Sequence, residues 1–71
     1  MMYHIVIKGR LDQSWSEWLG GANITSGIDE NREMITTLTV KVADQPALFG
    51  ILDRIRDMNL LPISIESIDT V

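Results

Sequence analysis

Residues 40–69 read VKVADQPALFGILDRIRDMNLLPISIESID. The stretch spells one strand–helix–strand unit. Asp44 stands where an N-cap belongs, because its carboxylate can accept from an orphan N–H of the first turn. Pro46 falls within that turn, where a missing N–H costs nothing. Leu48, Ile51, Leu52, Ile55 and Met58 then follow the 3, 4 and 7 spacing of an amphipathic helix. Gly50, Asp53, Arg54 and Asp57 take the opposite face, and Asn59 is placed to stop the helix. Residues 61–69 return as a strand with Ile63 and Ile65 on one face, although Ile68 breaks strict alternation.

Upstream, residues 3–11 alternate: Tyr3, Ile5, Ile7, Gly9 and Leu11 share one face, and His4, Val6, Lys8 and Arg10 the other. Period two with β-branched residues reads as a strand with one buried face. Residues 12–19 predict a short helix, capped by Asp12 or by a Ser14–Glu17 capping box, with Leu11, Trp15, Trp18 and Leu19 on one face. Gly20-Gly21 stops it. Residues 22–28 form a weaker strand, Asp29 to Arg32 a polar turn, and residues 33–42 a stronger strand. In that strand Met34, Thr36, Leu38, Val40 and Val42 oppose Ile35, Thr37, Thr39 and Lys41. The order strand, helix, strand, strand, helix, strand predicts a single α+β domain over 1–71. Its pattern is ferredoxin-like βαββαβ: a four-stranded antiparallel sheet with two helices on one face. Right-handed crossovers put the first and third strands in the centre.

Bulk properties narrow the function. A chain of 71 residues holds one small domain, which buries only roughly 60% of its unfolded surface. Such scaffolds usually need a staple. With no cysteine and one histidine, disulfides, thiolate metal sites and multi-histidine sites are excluded, and no cofactor is implied. A good core, self-association or both must then stabilise the fold. The net charge of −4 argues against nucleic acid as a partner, since phosphate needs a positive field. Apolar runs are too short to span a membrane. The start MMYHIVIKGR lacks a signal-peptide pattern, and a cytoplasmic protein is the expectation.

Two resemblances add to this reading. Val42-Ala43-Asp44-Gln45 through Ala47-Leu48 and Gly50, with Tyr3 to Leu11 and the Trp15-Ser16-Glu17-Trp18 element, resembles a group of short bacterial and archaeal proteins. That group is functionally uncharacterised, so the likeness implies a fold and no activity. Asp44-Gln45-Pro46-Ala47-Leu48 also resembles the D-x-P-G-x-L turn of ACT regulatory domains, with Ala47 where that family has glycine. The unit lies in the second half of this chain and in the first half of ACT domains. The ACT resemblance implies a ligand turn of Asp44, Gln45, Pro46, Ala47 and Leu48 that takes a small molecule such as an amino acid.

Each candidate site has a plainer reading beside it. Trp15 and Trp18 are an aromatic platform or packing residues; an exposed Trp18 would suit an interface. The open sheet face carries His4, Val6, Lys8, Arg10, Ile35, Thr37, Thr39 and Lys41 with Ser64, Glu66 and Ile68. It is a face-to-face dimer surface or simply solvated, and it lacks the aromatics that stack single-stranded bases. His4 has no catalytic neighbour in sequence. Asp53, Arg54, Arg56 and Asp57 are a solvated helix surface, and Phe49 is a core margin or a contact. No phosphate loop, paired-cysteine loop or catalytic constellation is present. The expectation is a non-catalytic protein-interaction or self-association module. Its partner is a second copy or a small protein, met through Val6, Trp18, Ile35, Thr37, Phe49 and Ile68. The alternative is ACT-like sensing of a small-molecule ligand. A third reading, nucleic-acid binding by Lys8, Arg10 and Lys41, is the weakest.

Overall fold

The computed structural model describes residues 1–68. Strands form where the period-two spacing is cleanest: β1 (Met2–Lys8) and β3 (Met34–Lys41). These two pair antiparallel, with Ile5 opposite Leu38 and Tyr3 opposite Val40. β2 (Asn23–Ile28) pairs outside β3, and β4 (Pro62–Ser67) outside β1, both antiparallel. The order is β2-β3-β1-β4, so the first and third strands hold the centre. The hairpin between β2 and β3 closes on Asp29, whose carboxylate accepts from the N–H groups of Asn31 and Glu33, both at 2.9 Å.

Helix α1 (Gln45–Asp57) forms as its sequence dictates. Asp44 Oδ1 accepts from the Ala47 N–H at 2.9 Å, and Pro46 occupies the first turn. Leu48, Ile51 and Ile55 are buried, while Leu52 and Met58 pack at the core margin. Asn59 adopts φ 62°, the left-handed conformation that ends helices.

The predicted helix over 12–19 is not there, so the sheet is covered by one α-helix among the described residues rather than two. In its place stand two 3-10 turns, Gln13–Trp15 and Glu17–Leu19. The expected caps do not form: Asp12 makes no cap bond, and its Oδ2 accepts instead from Ser14 Oγ at 2.8 Å. Ser16 Oγ is spent on the Ala22 carbonyl. An uncapped stretch of barely two turns cannot offset the cost of helix nucleation, and Gly20, at φ 73°, closes it. Leu11 and Leu19 still reach the core, but Trp15 and Trp18 remain about half exposed. The helical face proposed for all four residues is thus broken. The first turn packs on β2 and the second on α1.

β1 also stops at Lys8, short of the expected Leu11, because Gly9 turns the chain at φ 101°. Thr36 secures this exit. Fully buried on β3, its hydroxyl donates to the Gly9 carbonyl at 2.8 Å and accepts from the Leu11 N–H at 3.1 Å. Replacing it with valine strands both backbone groups, so Thr36→Val is expected to lose about 1–3 kcal/mol in urea denaturation. Thr36→Ser keeps both bonds and should lose less. Equal losses in the two variants would assign the effect to packing instead.

Candidate functional site

The sheet's inner face shows where cover ends. Ile65, Ile5, Leu38 and Ile24 form one row across all four strands. Ile5 and Leu38 are fully buried and Ile24 is 6% exposed, but Ile65 is 45% exposed. The cause is the position of α1. Arg54 Nη1 donates to the Trp18 carbonyl at 2.7 Å, and the guanidinium lies 4.8 Å from the Trp18 ring centroid. That flank of α1 therefore faces the 3-10 turns, on the β2 side of the sheet. Phe49 lies about 140° around the helix from Arg54 and at least about 100° from the buried Leu48, Ile51 and Ile55, so it faces solvent away from the Trp18 side. Phe49, Ile63 and Leu61 are each more than half exposed. A register shift opposite Val6/Ile7 leaves Ile63 as the extra residue of a bulge.

The two flanks of α1 have opposite chemistry. Beside Arg54 lies a cleft of about 360 Å³, lined by Gly20, Lys41, Val42, Ala43, Ala47, Gly50, Ile51 and Arg54. This is within the range of small-molecule sites, roughly 300–1,000 Å³. Its floor, Val42 and Ile51, is apolar and buried. No acidic residue lines it. Gly50 sits in mid-helix, where glycine costs about 0.5–1 kcal/mol relative to alanine. A Cβ there would meet nothing within 4 Å, so no close packing demands glycine. Sequence reasoning assigned Lys41 to the open sheet face and Arg54 to a solvated helix surface. Both residues border the cleft, Lys41 from the end of β3, where the register keeps it in the row of Thr37 and Thr39 on the open face.

The residues expected to form one interface separate into two places. Val6 and Thr37 are cross-strand partners on the open face, with Ile35 beside them on β3, all half-buried. Trp18 and Phe49 are on the helix side, on opposite flanks of α1. Ile68 follows β4, half-buried, its N–H donating to the Met2 carbonyl at 3.0 Å. The open face is mostly hydroxyl and charge: Thr25, Thr37, Thr39 and Ser64 surround Val6 and His4. At its end Lys8 Nζ meets Glu33 Oε2 at 2.8 Å. The hydrogen bond that Lys8 donates to Glu33, then the Glu33 charge, raises the Lys8 pKa above the ordinary lysine value. A raised pKa contributes stability below the unfolded value and loses it as pH rises through the folded one. The pair is therefore insensitive to pH near neutrality.

The proposed ligand turn, Asp44 to Leu48, is occupied by its own structure. Asp44 holds the Ala47 N–H, Leu48 is buried, and only Ala47 borders the cleft. Its measurable role is capping: Asp44→Ala is expected to cost about 0.5–2 kcal/mol of stability, with Asp44→Asn near wild type in thermal unfolding. A silent Asp44→Ala would remove the cap from the account of α1.

Residues 2–66 match the family described as Domain of unknown function (DUF8691), and the chain belongs to that family. No curated protein and no solved structure matches it. Among the described residues no helix is long and apolar enough to cross a membrane.

Proposed function

We propose that this member of the DUF8691 family is a non-catalytic self-association module, and that a second copy of the chain covers the bare β4 side. The strand order and the crossover through α1 support reading its fold as ferredoxin-like, with the first helix reduced to two 3-10 turns. The observation that carries the function is Ile65: it completes a buried row, yet the described residues leave it 45% exposed.

A second copy fits for three reasons. β4 is an edge strand, and an unpaired edge is a template for pairing with another chain. Its one charge is Glu66, so it lacks the lysines that usually guard such edges. An antiparallel match about a two-fold axis at Ser64 sets Ile63 of each copy against Ile65 of the other and Glu66 against Pro62. No like charges meet, and the symmetry closes at two copies.

The flank is small: about 20 Å along the strand and, at most, the molecule's 17 Å thickness. This lies at the small end of specific interfaces, so the dimer should dissociate on dilution. The open face supports association less well, because its centre is threonine-rich. ACT-like sensing at the Asp44–Leu48 turn also has less support, because the turn's polar groups are already engaged.

Sedimentation across a wide concentration range tests the reading. Wild type should move from monomer to dimer as concentration rises. Ile65→Asp should remain a folded monomer, while Val6→Asp, on the open face, and Ile28→Asp, on β2, should still dimerise. A wild type that stays monomeric at every concentration would sink the proposal, and loss of the dimer in Val6→Asp alone would move the interface to the open face.

A further inference from the structure

The apolar row Ile65–Ile5–Leu38–Ile24 has two ends, and they are covered unequally. β2 is an edge strand like β4, yet Ile24 is 6% exposed where Ile65 is 45%. The cover at the β2 end is a strap of residues 12–18, whose first 3-10 turn packs on β2. The buried side chains of Leu11 and Leu19 pin the chain on either side of it. Between those pins no residue is buried. Every backbone hydrogen bond made by residues 12–18 spans at most five residues. The strap's hydroxyls also bond locally, Ser14 to Asp12 and Ser16 to the Ala22 carbonyl. Among the described residues one hydrogen bond ties the strap to a distant element. Arg54 Nη1 donates it to the Trp18 carbonyl, and the same guanidinium lies over the Trp18 ring.

We propose that residues 12–18 open as a unit while the sheet and α1 stay folded, that Arg54 is the latch, and that opening bares Ile24. A segment with few buried side chains and local, exposed hydrogen bonds opens at lower free energy than the core around it. The latch is stronger than a single neutral hydrogen bond, because a charged donor and a cation over an indole act through one guanidinium. In the closed state the apolar row is bare only at Ile65. In the open state it is bare at both ends, so opening adds a second apolar surface at the edge of the sheet farthest from β4. The strap does not rest on self-association, because β2 and β4 are opposite edges.

Two measurements on the full chain test this. The chain has no cysteine, so Ile24→Cys and Leu38→Cys each place a single thiol on the row, one under the strap and one at the centre. With a soluble disulfide reagent the Ile24→Cys thiol should react faster than the Leu38→Cys thiol. Its rate should be flat in low urea, since a local opening exposes little surface. Adding Arg54→Met should raise the Ile24→Cys rate about tenfold, as loss of a charged donor and of the cation over the ring implies. Adding Arg56→Met, whose guanidinium pairs with Asp53, should leave that rate unchanged. Amide exchange of the unsubstituted chain makes the same comparison without altering the row. The Trp15 and Ser16 amides should exchange faster than those of Ile5 and Leu38, and without their urea dependence. Strap amides that share the rate and the urea slope of the strand amides would mean that the strap opens only with the whole fold, and would overturn the proposal. So would an Arg54→Met variant in which the Ile24→Cys thiol reacts no faster.

Discussion

Four strands present more apolar width than one helix can cover. Adjacent strands are about 4.8 Å apart and a helix with its side chains is about 10 Å across, so one helix serves two strands and part of a third. The thirteen residues of α1 lie over the centre, and two 3-10 turns close the β2 side. Among the described residues nothing closes the β4 side. The buried centre of the Ile65–Ile5–Leu38–Ile24 row, its bare end and the division of α1 into two unlike flanks all follow from this shortfall.

The same shortfall explains why polar contacts are concentrated at the first crossover. Without a helix between β1 and β2, the chain must turn sharply at Gly9 and bury the Leu11 N–H. Thr36 supplies both the acceptor and the donor this requires, from within the core row of β3. At the second crossover a full helix carries its own backbone bonds, and one carboxylate, Asp44, suffices to start it. One crossover is held by a buried hydroxyl and the other by local capping.

Legibility in the sequence followed the range of the forces involved. The alternation of Tyr3 to Ile7 and of Thr36 to Val42 located the central strands, because a strand's faces are set by neighbouring residues. Asp44, Pro46 and Asn59 marked the ends of α1 for the same reason. The segment 12–19 carried equally plausible cap residues, yet Asp12 and Ser14 bonded to each other, and Ser16 bonded to a carbonyl six residues away. Ile65 was placed on the correct row, but no pattern within β4 could show that the row ends uncovered.

By itself the sequence determined the class, the four strands, the second crossover helix and the central place of β1 and β3. It also excluded disulfides and thiolate metal sites. Each of these depends on local periodicity, capping or composition. Only the tertiary structure decided that the first helix collapses into 3-10 turns and that Ile65 is left bare. Those outcomes depend on how far one helix reaches across a sheet and on which hydrogen bonds distant residues take, and neither is encoded in a window of neighbouring residues.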